Sequence, residues 1–288
     1  MKKITIIGLG MMGASFALAL KRAGLAQSVC GVARRSAALE EALQKGIIDC
    51  GTTNIGVGVR DAEMVVIATP VCAVMNLLPM LSELKYSGVI IDLGSTKQAI
   101  CEIAETFPQL RFVGCHPMAG SEIPGLIGAN AALFDGAPVI ITPADNVDPA
   151  LLERVTGLWE ALGCRISFMN PEKHDFSVAV ISHLPYLASV ITMNTAAELA
   201  QDDPGIFSLI AGGFRDTTRI SEGDPVMWRD ICLTNRSHIL TAIEQFKTCL
   251  NDVEQALKVQ DANLLQNIFQ TSQQRRKTYI QRKKCIMP

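Results

Sequence analysis

The chain of 288 residues is 49% hydrophobic and 19% charged, with a formal net charge of -2. That is apolar material for one large or two modest domains, and it lacks the basic excess a nucleic-acid or anionic-membrane partner requires. Nine cysteines, without a C-x-x-C pair, fit reduced thiols in a cytoplasmic protein and argue against a disulfide frame or a metal site. Lys2-Lys3 before an apolar run imitates a secretory signal, but glycines at positions 8, 10 and 13 interrupt it. No other apolar stretch is expected to reach spanning length without charge, so the chain reads as soluble, without a membrane partner.

Lys3 to Ile7 is mostly β-branched and reads as a buried parallel strand. Gly8-Leu9-Gly10-Met11-Met12-Gly13 follows, and Ala14 to Lys21 is helix-forming. Strand, G-x-G-x-x-G and helix in that order form a dinucleotide-binding signature. Gly8 allows the turn, Gly10 lets a pyrophosphate sit on the backbone, and Gly13 lets helix and strand touch. A second strand spans Ser28 to Val32. Where an NAD-binding fold usually carries a carboxylate, this chain has Ala33 and then Arg34-Arg35-Ser36. Two guanidiniums there favour the 2′-phosphate of NADP over NAD; the alternative is a solvated helix start capped by Ser36.

Met64 to Ala68 is a further strand, ending at Thr69-Pro70 on the expected cofactor edge, and a helix is expected from Val71 to Leu84. Gly88 to Asp92 is another strand and leads into Leu93-Gly94-Ser95-Thr96-Lys97. Ser95 either faces the cofactor or caps the next helix. Lys97 either meets a substrate carboxylate or lies on a solvated helix face, the second being favoured. Phe112-Val113 closes a strand before Gly114-Cys115-His116-Pro117-Met118-Ala119-Gly120-Ser121-Glu122. Pro117 biases His116 toward extended backbone, so a loop is expected to present the imidazole, with Gly114 and Gly120 allowing close approach of a ligand. An imidazole is suited to drawing a proton from an alcohol as a nicotinamide takes the hydride; the competing reading is a buried, hydrogen-bonded histidine.

Gly125, Gly128 and Gly136 mark a flexible stretch. Pro138 to Thr142 and Cys164 to Phe168 read as strands around a helix at Asp148 to Leu162. The alternation gives an α/β, doubly wound Rossmann-type domain over residues 1–168, followed by an all-α domain over 169–288 for substrate binding and dimerisation. No strand is expected after Pro171. His174-Asp175 is expected to precede a long apolar helix containing Ser182-His183-Leu184-Pro185, kinked at the proline. Gly212-Gly213 should break a helical segment before Phe214-Arg215-Asp216-Thr217-Thr218-Arg219, in which Arg215 and Arg219 share a face if helical. Asp224-Pro225 opens a helix carrying Trp228, Arg229, Asp230 and Asn235, and two long helices with a break near Asp261 fill 236–282. His183, Arg215 and Arg219 stand among apolar helices, where an anionic substrate would pair them.

The glycine loop, Asp92 to Lys97, Gly114 to Gly120, Ser182 to Pro185 and Gly213 to Arg219 together resemble the prephenate and arogenate dehydrogenases of tyrosine biosynthesis, over nearly the whole chain. The resemblance implies oxidative decarboxylation of a cyclohexadienol with NADP or NAD. It makes His116 the proton acceptor, Ser95 a partner of the same hydroxyl, Arg219 the grip on a carboxylate, and His183 a pocket contact. Ser121, Glu122, Asp216 and Trp228 would line or gate the pocket, with Asp216 a candidate to reach in from the other subunit of a homodimer. Arg215 either binds or braces. No room for a fused regulatory or mutase domain is expected. Rival readings are a β-hydroxyacid dehydrogenase or imine reductase of similar architecture, and a non-catalytic nucleotide sensor. The β-hydroxyacid enzymes use a lysine early in the helical domain; here Lys173 stands only at the edge of that region.

Overall fold

The computed structural model describes residues 1–120 and 123–286, with side chains through Tyr279. Eight strands form one sheet: β1 (Lys3–Ile7), β2 (Ser28–Val32), β3 (Cys50–Thr52), β4 (Met64–Ile67), β5 (Val89–Asp92), β6 (Arg111–Pro117), β7 (Pro138–Thr142) and β8 (Arg165–Phe168). Their order is β3-β2-β1-β4-β5-β6-β7-β8, parallel except that β7 runs antiparallel to β6. The helices between them are α1 (Met11–Arg22), α2 (Ser36–Gln44), α3 (Ile55–Val59), α4 (Val71–Glu83), α5 (Gln98–Glu105) and α6 (Pro149–Ala161). The short β3 has no counterpart in the sequence pattern. Cys-Gly-Thr carries no apolar run, and it forms a strand because Cys30, Gly31 and Val32 offer it a free ladder edge.

Alternate residues of each central strand serve two cores, the signature of a sheet covered on both faces. Ile4, Ile6, Met64, Val66 and Ile91 join Phe16, Phe134 and Trp159 on one face, and Ile7, Val65, Ile67 and Ile90 join Leu78 and Leu81 on the other. The chain reverses its winding between β1 and β4, so the carboxyl ends of those strands border the crevice where such sheets bind ligands.

After β8 the described residues contain no strand. The helices are α7 (Pro171–Val178), α8 (Leu184–Leu199), α9 (Gly212–Thr218), α10 (Pro225–Thr234), α11 (Arg236–Lys258) and α12 (Ala262–Ile286). His174 and Asp175 lie inside α7 rather than ahead of the long helix. A π-helical turn, Ala179–His183, joins α7 to α8 and puts Pro185 in the first turn of α8, where its missing N–H is tolerated. Gly212 and Gly213 begin α9 instead of interrupting a helix, and α9 passes at Arg219 into a 3-10 turn, Arg219–Glu222. Asp224 caps α10 by accepting from the Met227 amide, with Pro225 next, as its sequence requires. The stretch Pro171–Leu199 is long and apolar enough to cross a membrane by length and composition, which corrects the expectation that no such segment follows the N-terminus. By contacts the chain forms two compact units, Met1–Ile239 and Leu240–Pro288.

Candidate active site

The crevice at the end of β1 is built from backbone. Gly8 turns the chain at φ +100°, and a Cβ there would lie 2.6 Å from the Ala68 carbonyl oxygen. A Cβ on Gly13 would lie 2.0 Å from the Gly8 oxygen, so the helix can press on the loop only as glycine. Gly10 faces open space, and as the N-cap of α1 it brings no capping side chain. The first-turn amides of α1, at Met11, Met12 and Gly13, therefore have no partner inside the helix and sit at its positive end. Beside them the Thr69 hydroxyl is buried without a hydrogen-bond partner, next to exposed Pro70. Bare amides, an open glycine and an orphaned hydroxyl together fit a dinucleotide diphosphate. At the end of β2, Arg34, Arg35 and Ser36 are exposed, and neither arginine forms an ion pair among the described residues. Ser36 is not a cap: Arg35 holds the N-cap position of α2, with no capping side-chain bond.

His116 sits on the same carboxyl edge, yet on a strand rather than a loop. β6 continues through Pro117 because β7 pairs with it, His116 opposite Ile140 and Pro117 opposite Val139. Gly114 serves packing, not a ligand, since a Cβ there would lie 2.4 Å from the Thr142 hydroxyl; Gly120 does face open space. The half-buried His116 ring places Nδ1 2.8 Å from Nε2 of His174, whose Nδ1 is 2.8 Å from Oδ1 of Asp175. The Asp175 carboxylate also accepts the Lys97 and Gln98 amides, at 2.7 and 3.0 Å, and so caps α5 from another helix.

Lys97 departs from both sequence readings. It is fully buried and its ammonium pairs with buried Asp92, because a charge in that interior requires a partner. Asp92 in turn accepts the Gly94 amide at 2.8 Å and the Cys115 amide at 3.1 Å, which fixes β6 next to His116. Ser95, half-buried, lies in the chain between this pair, and it does not cap α5: Lys97 holds the cap position. Burial raises the thiol of Cys115 well above its ordinary range, so the cysteine beside His116 is no nucleophile.

His183, at the end of the π turn, is buried, and its Nδ1 lies 3.2 Å from Nδ2 of Asn235, which also donates to the Asp175 carbonyl at 2.7 Å. Trp228 meets His183 edge-on at 5.9 Å and stacks flat on Tyr186 at 3.5 Å. Burial, above all, lowers the pKa of both imidazoles. That of His183 falls to about 4, against the attraction of Asp175. That of His116 falls well below 6.5, helped by His174, Lys97 and His183. Both rings are neutral near pH 7, and a neutral ring is what a proton acceptor must be.

The structure thus joins His116 and His183 through Asp175, and seats Trp228 against His183. It does not bury the arginines. Arg215 and Asp216 on α9 are exposed, as is Arg219 at the head of its 3-10 turn, so the expected arginines enclosed among apolar helices are solvent-facing in one protomer. Ser121 and Glu122 lie outside the described residues. The network also contains Asp92, which the sequence places only at a strand end beside the expected nicotinamide, Lys97, for which it favours a solvated face, and His174, Asp175 and Asn235, which it does not assign to the site. The signals for them along the chain are the Asp92 to Lys97 motif and the adjacent His174-Asp175 pair, at the change from strands to helices.

A doubly wound sheet with a glycine-lined diphosphate cradle and a neutral imidazole on the same edge defines a dinucleotide-dependent oxidoreductase. Comparison with known proteins narrows this class. Residues 16–168 match the prephenate dehydrogenase nucleotide-binding domain, and residues 170–271 match the prephenate dehydrogenase dimerization domain. Prephenate dehydrogenase of Bacillus subtilis is 34% identical over 99% of this chain and 78% of its own length. The structure of Aquifex aeolicus prephenate dehydrogenase in complex with hydroxyphenyl propionate and NAD+ aligns with a TM-score of 0.89 at 32% identity, covering 96% of this chain and 98% of that one. Synechocystis arogenate dehydrogenase aligns with a TM-score of 0.77 at 30% identity, covering 96% and 99%. The chain belongs to the prephenate dehydrogenase family.

Proposed function

We propose that the protein carries out the NAD(P)-dependent oxidative decarboxylation of prephenate or arogenate. The observation that carries this reading is a neutral, half-buried His116 on the sheet edge that also bears the dinucleotide cradle. Nε2 of His116 accepts the proton of the ring hydroxyl, and Ser95 shares that hydroxyl. The nicotinamide, when bound, supplies the hydride acceptor. The electrons of the bond to the departing carboxylate then flow into the ring, which becomes aromatic, and the oxygen recovers its proton as a phenol. His183 contacts the substrate, and Arg219 grips a carboxylate; Arg215, Asp216, Trp228, Ser121 and Glu122 shape the entrance. Formation of a fully aromatic ring favours the forward direction.

NADP is the preferred cofactor in this reading, because Arg34 and Arg35 stand exposed where a carboxylate would repel the 2′-phosphate. Residues 1–168 hold the cofactor, and residues 169–288 hold the substrate and form a homodimer. Exposed Ile181, Ile191 and Leu199 on the apolar Pro171–Leu199 segment support the dimer, since a partner would cover them. The described cysteines are all free, as in a cytoplasmic enzyme. The test is reduced-cofactor formation measured with prephenate and arogenate, each against NAD and NADP. Turnover is expected with at least one substrate and more efficiently with NADP. No turnover in any of the four combinations overturns the proposal.

A further inference from the structure

Asp175 reaches the two site histidines through intermediaries, His116 by way of His174 and His183 by way of Asn235, and the hydrogen-bond chemistry of each route bears on where a proton resides. A carboxylate only accepts, so His174 must donate from Nδ1. When that is the only proton on the His174 ring, Nε2 accepts, and the 2.8 Å contact makes His116 donate from Nδ1. His116 is left with an unprotonated Nε2. On the other route the acceptor is the Asp175 backbone carbonyl, which compels Asn235 to turn its Nδ2 inward. The opposite amide orientation would set two oxygens against each other, and Asn235 Oδ1 is indeed an atom left buried without a partner. Nδ2 therefore also donates to Nδ1 of His183, whose proton sits on Nε2.

We propose that Asp175 is a positioning residue that holds the two histidines in opposite tautomers, His116 as an acceptor at Nε2 and His183 as a donor at Nε2. The division suits a substrate hydroxyl that must lose a proton beside an oxygen atom elsewhere on the substrate that needs a donor. This use of the tautomers rests on His116 being the proton acceptor of the proposed reaction. The tautomers themselves are read without substrate, so the two can fail separately. Asp175 lies on α7 and bonds Lys97 at the start of α5 and Asn235 at the end of α10, so three helices hold it in place.

The test is nitrogen-15 NMR of the imidazoles in the whole protein without substrate. Four histidines are present, His116, His174, His183 and His238, so single replacements assign each ring. The expected result is a protonated Nδ1 on His116 and a protonated Nε2 on His183. A wild-type His116 carrying its proton on Nε2 overturns the proposal without any variant. Asp175→Ala should average the His116 signals and lower kcat by about 10²-fold with KM little changed, while His183, still held through the backbone carbonyl, keeps its signals. Asp175→Asn, which can turn its amide N–H toward His174 Nδ1 and so impose the opposite tautomer, should also lower kcat rather than restore it. Wild-type kcat and unchanged His116 signals in Asp175→Ala would contradict it.

Discussion

The cofactor crevice and the histidine network are built from opposite materials. The crevice is backbone: glycines, bare amides and one orphaned hydroxyl. The network is side chain: two carboxylates, an ammonium, an amide and three imidazoles. The first excludes atoms to leave room for an anion. The second fills space and fixes protons. A substitution in the crevice should therefore act through volume, and one in the network through charge and hydrogen bonding.

The largest contrast is expected within the glycine loop itself. Gly13→Ala sets a Cβ 2.0 Å from a backbone oxygen that cannot move aside, so it should cost about 3 kcal/mol or more and abolish cofactor binding. Gly10→Ala meets nothing within 4 Å and should leave the melting temperature unchanged while weakening cofactor binding. Thermal melts and NADPH titration of the two variants read this directly; equal melting temperatures would show that the crevice is not built by exclusion. A smaller effect is expected at the end of β2. Replacing Arg34 and Arg35 together by serine should raise KM for NADP by roughly tenfold to a hundredfold, at about 1.5–3 kcal/mol for a hydrogen bond to a charged group, and leave KM for NAD little changed. A separate effect is expected in acid. His183 titrates near 6.5 when unfolded and at about 4 when folded, so the unfolded state binds more protons between those values. Its contribution to stability is complete above that window and falls as pH drops through it. Melting temperatures measured across that range should decline less in His183→Gln.

The same contrast explains what can be read from the chain. The crevice is local: strand, glycines and helix occupy one run of residues, and β1, β2 and β7 fall where the apolar pattern sets them. The network is distant in sequence. His116 meets His174 across 58 positions, and Asp175 meets the Lys97 amide across 78. No pattern along the chain announces that Lys97 is buried, because its charge is tolerated only by Asp92, brought there by the fold. Pro117 signals extended backbone correctly, but not that β7 pairs with it and makes that backbone a strand.

The central claim is that His116 draws the proton. Steady-state and cofactor-binding measurements on His116→Asn test it most directly. The predicted result is a fall in kcat of about 10²–10⁴-fold with NADPH affinity retained. Turnover near the wild-type level would contradict it.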